Sequence, residues 1–228
     1  MGLGGGAASA AGWGVVAARR VAVEADGAIL LPAVDLDLRA GQIMLLTGPN
    51  GVGKTTLLRV LAGAQAPSSG AVAVCGMRPD RRRPEFRRKV AHMFSQRPFA
   101  PAMTIAEHLA LTALTWGFTS DEADAASAGL LGRFDIAGLA DRYPHQLSLG
   151  QIQAASLCLV LVRPFELLLL DEPDHALDDD RLRALEAELR TRADGGAAVV
   201  MATHSRALRG AMADGVLDLS GLRPAPGQ

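Results

Sequence analysis

Short apolar runs alternate along the chain with longer stretches of helical spacing, and each predicts an element. Residues 15–23 and 29–38 are β-branched and partly alternating (VAVEADGAIL, then VDLDL), the pattern of a hairpin with one wet face. They predict an antiparallel β layer at the start of the fold. The run IMLLT at 43–47 is continuously apolar and stops at glycines, as a buried parallel strand does. Residues 54–62 follow, with Leu57, Leu58 and Leu61 at helical spacing and Gly63 as a stop. Residues 104–139 are Ala- and Leu-rich with acidic interruptions and predict two or three helices. The strand pattern returns at 166–171, a helix follows at 181–192, and 197–204 predicts a further buried strand. The order is β layer, α/β core, helical insert, α/β core, with no internal repeat.

The 228 residues fit one compact domain at about 100–200 residues per domain. Hydrophobic residues make up 49% of the chain and charged residues 21%, which excludes a disordered composition. A net charge of -1 leaves no overall basic field, so no nucleic-acid partner is expected. The stretch 78–89 carries seven basic residues, but Pro79 and Pro84 interrupt it and Phe86 is its only aromatic, so it reads as a solvated loop. Cys75 and Cys158 lie far apart, with neither a disulfide framework nor metal-ligand spacing, which fits a reducing, cytoplasmic compartment. His92, His108, His145 and His175 have no ligand spacing either. No run reaches the roughly 18–20 apolar residues of a membrane span; the most apolar stretch, 154–170, is broken by Arg163, Pro164 and Glu166. Residues 1–14 predict a flexible leader and 223–228 a tail, around a single domain at 15–222 whose helical insert occupies about 97–150. Of the 23 basic residues only Lys54 and Lys89 are lysines, which singles out Lys54.

Gly48, Pro49, Asn50, Gly51, Val52, Gly53, Lys54 and Thr55 fit the P-loop pattern G-x4-G-K-[ST], and they lie where such a loop must, between a buried strand and a helix. The glycines let backbone N–H groups close on phosphate, and the helix N-terminus, with Thr56 in its first turn, adds its positive end. Lys54 then bridges the β- and γ-phosphates, and Thr55 offers its hydroxyl to Mg²⁺. The second station is Asp171-Glu172, two carboxylates closing the LLLL strand at the edge of a parallel sheet where ligands bind. There Asp171 orients Mg²⁺ through its water shell and Glu172 acts as general base on the attacking water.

With these stations in place the chain resembles the nucleotide-binding subunits of ABC transporters over about 15–219. Leu147-Ser148-Leu149-Gly150-Gln151 is close to the family's LSGGQ signature, and Tyr143-Pro144 precedes it as in the family. Ala176-Leu177-Asp178 resembles the D-loop, Gln96 the Q-loop glutamine and His204 the switch histidine. The resemblance implies an α/β P-loop NTPase of ABC type, with a mixed central sheet, an N-terminal antiparallel β layer and a helical subdomain. It further implies ATP and Mg²⁺ as ligands and a second ABC cassette as partner. Two cassettes would pack head to tail, so that Ser148, Gly150 and Gln151 of one reach the γ-phosphate on the other's Lys54, with Asp178 in the D-loop beside them. His204 and Gln96 would contact that phosphate and the catalytic water, Gln96 also joining the metal shell of Thr55 and Asp171. A multi-span membrane permease would receive the force, which places the chain on the inner face of the cell membrane.

The departures from the family pattern are local. Ala25 stands where the family carries an adenine-stacking aromatic, and no aromatic occurs in 21–31, leaving Trp13 or a partner chain to supply a ring and weakening the case for ATP over GTP. Leu149 replaces the first glycine of the signature pair, Ile152-Gln153-Ala154 lacks the usual arginine, and His175 takes the place of a D-loop serine. A degenerate regulatory cassette of a heterodimeric transporter, or an ABC-type ATPase without a permease, are the alternative readings.

Overall fold

The computed structural model describes residues 14–94, 99–205, 208, 210 and 212–221. Strands β1 (Val16–Ala25) and β2 (Ala28–Leu38) form the expected hairpin. Its two-residue turn is Asp26-Gly27, both at positive φ (51° and 75°), the conformation that matches the right-handed twist of the strands it joins. Along β2 the alternation is regular at the far end: Val34, Leu36 and Leu38 are buried while Asp35 and Asp37 face water. A third strand, β4 (Ser69–Val74), pairs antiparallel with the free edge of β1 and gives the order β2-β1-β4.

The second sheet has the order β5-β6-β7-β3-β8, built from β3 (Ile43–Thr47), β5 (Val90–Met93), β6 (Leu167–Asp171), β7 (Ala198–Ala202) and β8 (Gly215–Asp218). Its pairs are all parallel. The mixture of pairings expected within one central sheet is therefore divided between two sheets. The two-residue turn makes β1 and β2 antiparallel neighbours, and β4, which follows α1, joins them antiparallel on the free edge of β1. The continuous apolar runs follow from burial on both faces. Leu168 and Leu170 of β6, with Val199 and Met201 of β7, enter one core. Leu167, Leu169, Ala198 and Val200 enter the other, shared with the hairpin and with helix α1 (Lys54–Leu61).

Helices α3 (Ile105–Thr115) and α4 (Ser120–Arg133) lie in the stretch expected to form the helical insert. Each starts at a capping box, Thr104 with Glu107 and Thr119 with Glu122. A short 3-10 turn, Ala137–Leu139, ends the segment. Helix α5 (Leu149–Leu161) then runs buried through the first core, and α6 (Asp179–Asp194) covers it from outside. The basic stretch 78–89 is not wholly a loop: Pro84–Lys89 forms helix α2. Pro84 opens the first turn, where its missing N–H costs nothing, and Phe86 is buried while the arginines stay exposed. The expected leader and tail, apart from Gly14, and the residues Trp13 and Gln96 lie outside the described residues.

Candidate functional site

The site forms where β3, β6 and β7 end on one edge of the parallel sheet. After β3 the chain turns through Gly48 (φ 133°), Gly51 (φ 80°) and Gly53 (φ 110°) into α1. These angles are steeply unfavourable for side-chain-bearing residues. At Gly53 space forbids one as well, since a Cβ there would stand 2.8 Å from the Leu30 carbonyl oxygen. Helices α3, α4, α5 and α6 each start with a side-chain cap and α2, without one, has Glu85 in its first turn, but Gly53 gives α1 no cap and its first turn holds no acidic residue. The first N–H groups of α1 are therefore left for an external acceptor. Lys54 folds back over the loop, only 7% exposed, and donates from Nζ to the carbonyls of Gly48 (2.8 Å) and Pro49 (3.1 Å). Among the described residues no carboxylate pairs with this buried cation. A buried ammonium held at contact distance only by neutral carbonyls, with Asp171 acting on it from further away, offers an anion in the loop a favourable partner.

Across the loop, the Thr55 hydroxyl donates to Asp171 Oδ2 at 2.6 Å, joining positions 116 apart in sequence. Burial at the strand end pushes the Asp171 carboxyl above its ordinary value; the Thr55 hydroxyl opposes this, the neighbouring Glu172 charge adds to it, and Lys54 and Arg59 oppose it further. A hydroxyl and a carboxylate on adjoining elements are hard oxygen ligands of the kind Mg²⁺ takes. Glu172 sits at φ 48°, a strained setting for a residue with a side chain, fixed by its N–H donating to the Ala202 carbonyl at 2.8 Å. His204 Nε2 lies 3.1 Å from Asn50 Oδ1 and 3.7 Å from Glu172 Oε1. The P-loop, the end of β6 and the exit of β7 thus converge through Asn50, His204 and Glu172.

The signature segment stands at the start of α5. Ser148 caps that helix: its oxygen accepts from the Gln151 N–H at 3.4 Å, while Gln151 Oε1 accepts from the Ser148 N–H at 2.9 Å. Their side chains are thus bonded to each other's backbone and not to the P-loop. Leu149 projects into solvent, 71% exposed. Gly150 is required by space, because a Cβ there would meet the Ala176 carbonyl oxygen at 2.5 Å. Asp178 caps α6 through the Arg181 N–H at 2.9 Å and pairs with the Arg181 guanidinium, which also reaches the Phe134 carbonyl at 3.2 Å.

Three further residues hold these pieces together, and sequence reasoning did not single out their roles. Gln153 is buried and donates to the Pro173 carbonyl at 2.9 Å, tying α5 to the turn after Glu172. Thr203 donates to Asp174 Oδ1 at 2.7 Å, locking the exit of β7 to the same turn. A polar residue among apolar neighbours was the signal available for Gln153, shared with Ser156 on the same helix; Thr203 and Asp174 gave none.

Comparison with known proteins identifies the family. A family model described as ABC transporter matches residues 31–175. The hemin import ATP-binding protein HmuV of Streptomyces coelicolor is 36% identical over 217 residues, covering 93% of this chain and 77% of its own. The cytochrome c biogenesis ATP-binding export protein CcmA of Paracoccus denitrificans is 36% identical over 190 residues, covering 83% of this chain and 82% of its own. The spermidine/putrescine import ATP-binding protein PotA 1 of Pseudomonas aeruginosa is 36% identical over 200 residues, but this chain spans only 54% of its length. A solved structure of an ATP binding subunit of an ABC transporter superposes with a TM-score of 0.81 at 25% identity, over 90% of this chain and 86% of that one. With the match extending from the second strand of the hairpin through the P-loop and signature to the turn after Glu172, the chain belongs to the ABC transporter family.

Proposed function

We propose that this chain binds and hydrolyses ATP as the motor subunit of a transporter, closing on ATP with a second cassette and driving a separate multi-span permease from the cytoplasmic face of the membrane. The observation that carries the reading is the convergence of an uncapped helix N-terminus, a buried Lys54 with no carboxylate at contact distance, the Thr55–Asp171 pair and the Asn50–His204–Glu172 string on one sheet edge. Gly48 to Thr56 cradle the phosphates, and Lys54 exchanges its loop carbonyls for β- and γ-phosphate oxygens. Thr55 and Asp171, with Gln96, would hold Mg²⁺, which neutralises the charge that builds on those oxygens. Glu172 takes the proton of the attacking water, and His204 orients both Glu172 and the terminal phosphate. Ser148, Gly150 and Gln151 complete the site on the opposite cassette, where their helix N-terminus faces the γ-phosphate. Asp178 holds the turn that leads from Glu172 to α6.

The relatives' names span spermidine/putrescine import, hemin import and export in cytochrome c biogenesis. Cargo choice therefore belongs to the permease in this reading, and the surface of the helical insert receives it. Among the described residues no helix is long and apolar enough to cross a membrane. The exposed Leu149, in place of a signature glycine, favours one second reading, in which this cassette pairs with a different, more active one. The test is Mg²⁺-dependent ATP binding and turnover by the full chain, with Lys54→Ala and Glu172→Gln beside it. Lys54→Ala is expected to abolish binding and Glu172→Gln to abolish turnover alone. Binding that survives Lys54→Ala unchanged contradicts the site.

A further inference from the structure

The last paired residues of β6 and β7 are Asp171 and Ala202. Glu172 and His204 both stand beyond that pair, on separate turns, so they lie outside the strand ladder. One backbone bond reaches past it, from the Glu172 N–H to the Ala202 carbonyl at 2.8 Å. The two side chains come within 3.7 Å of each other, yet they are 46% and 51% exposed. Side chains half open to water take their place from the backbone that carries them rather than from packing.

Further out, a pair of side chains continues what the ladder began. Thr203, fully buried, donates from Oγ1 to Asp174 Oδ1 at 2.7 Å and accepts from the Ser205 N–H at 2.9 Å. One hydroxyl therefore closes the turn around His204, from the residue before it to the residue after it, and ties that turn to a carboxylate two residues beyond Glu172. The carboxylate end is itself held. The Asp174 carbonyl accepts from the Leu177 N–H at 3.1 Å, and the carbonyl of Pro173 accepts from the Gln153 side chain of α5 at 2.9 Å.

We propose that Thr203 and Asp174 are positioning residues for hydrolysis: their bond sets the separation of Glu172 and His204, so that the two meet the attacking water and the terminal phosphate as one unit. This rests on the roles given to Glu172 and His204 above and adds the pair that aligns them. Neither Thr203 nor Asp174 touches the nucleotide, so the pair acts on the rate and not on the affinity. A displacement of about 1 Å at reacting groups costs up to about a hundredfold in rate.

The experiment is steady-state Mg·ATP turnover by the full chain, with calorimetric ATP binding beside it, repeated on Thr203→Val, Asp174→Ala, the two combined, and the conservative Thr203→Ser and Asp174→Asn. Thr203→Val keeps the shape and removes the hydroxyl; it and Asp174→Ala should each lower kcat by about ten- to thirtyfold, with KM and Kd for ATP within about twofold. The combined variant should lose about as much as the larger single loss, because both changes remove the same bond. Thr203→Ser keeps the donor and Asp174→Asn an acceptor, and each should stay within about threefold of the unaltered kcat. Turnover within about twofold of the unaltered chain in both Thr203→Val and Asp174→Ala overturns the proposal. Losses that multiply in the combined variant overturn it too, as does ATP affinity that falls in step with kcat. Should Thr203→Val fail to fold, the half-buried Asp174 decides, by Asp174→Ala against Asp174→Asn. An unaltered chain that neither binds nor hydrolyses ATP refutes the underlying nucleotide reading instead.

Discussion

Asp171 carries its charge at a cost to the stability of the fold. Burial raises its carboxyl above the value it has in the unfolded chain, so the ionised form opposes folding above the folded value. That deficit disappears as pH falls below the unfolded value, where both states are protonated. Asp171→Asn keeps an acceptor for the Thr55 hydroxyl and removes the charge. It should raise the melting temperature of the nucleotide-free chain at pH 7.5 by about 1–2 °C, discounted for the partial exposure of the group, and change it little at about pH 3, below the unfolded value. The same variant should weaken Mg·ATP binding by more than tenfold. Thermal scans at the two pH values with a parallel titration check both, and a lower melting temperature at pH 7.5 would mean that the charge is net favourable without metal. The P-loop, Asp171 and Glu172 were legible in the sequence because each lies within a few residues of the strand that presents it. The Thr203–Asp174 bond and the Gln153–Pro173 bond were not, since each depends on chain segments brought together only by the fold.

Helix α5 was not read from hydrophobic spacing because it is buried almost all round, and a segment buried on every side has no amphipathic period to detect. Its start was nevertheless written in the sequence as Ser148-x-x-Gln151, a capping box. Strands β4, β5 and β8 were missed for the opposite reason: they are four to six residues long, and their pairing rather than their composition makes them strands. The start of α5 is the most constrained joint between the helical part and the turn after Glu172. Ser148→Ala should cost about 1 kcal/mol through the missing cap. Gly150→Ala should cost about 1–3 kcal/mol, because the added methyl meets a backbone carbonyl that cannot swing away. Urea unfolding of the two variants ranks them, and a neutral Gly150→Ala would mean that the turn at Ala176 yields easily.

Across the molecule, the helical part and the α/β core are fastened by a buried carboxylate. Glu188 of α6, 3% exposed, meets Arg133 at the end of α4 at 2.9 Å and Arg192 at 2.7 Å, and Arg192 also donates to the Leu161 carbonyl at the end of α5. Glu188→Gln should cost about 1–3 kcal/mol, as a charged hydrogen-bond pair becomes a neutral one in a buried place. Arg192→Ala should cost more than Arg133→Ala, because Arg192 is the less exposed of the two partners and also holds the α5 end; denaturant midpoints decide it. The division into a β layer, a parallel core and a helical insert was legible from the order of apolar patterns. The buried Glu188 was not, because its position in sequence resembles any charge on a helix face. The most direct test of the account is the rate of Mg²⁺-dependent ATP hydrolysis as a function of chain concentration, with the size of Glu172→Gln followed by sedimentation in ATP. The account predicts turnover that rises with the square of concentration, and a Glu172→Gln chain that sediments as a stable ATP-dependent dimer. Turnover strictly proportional to concentration, from a chain that remains monomeric in ATP, would contradict a site shared between two cassettes.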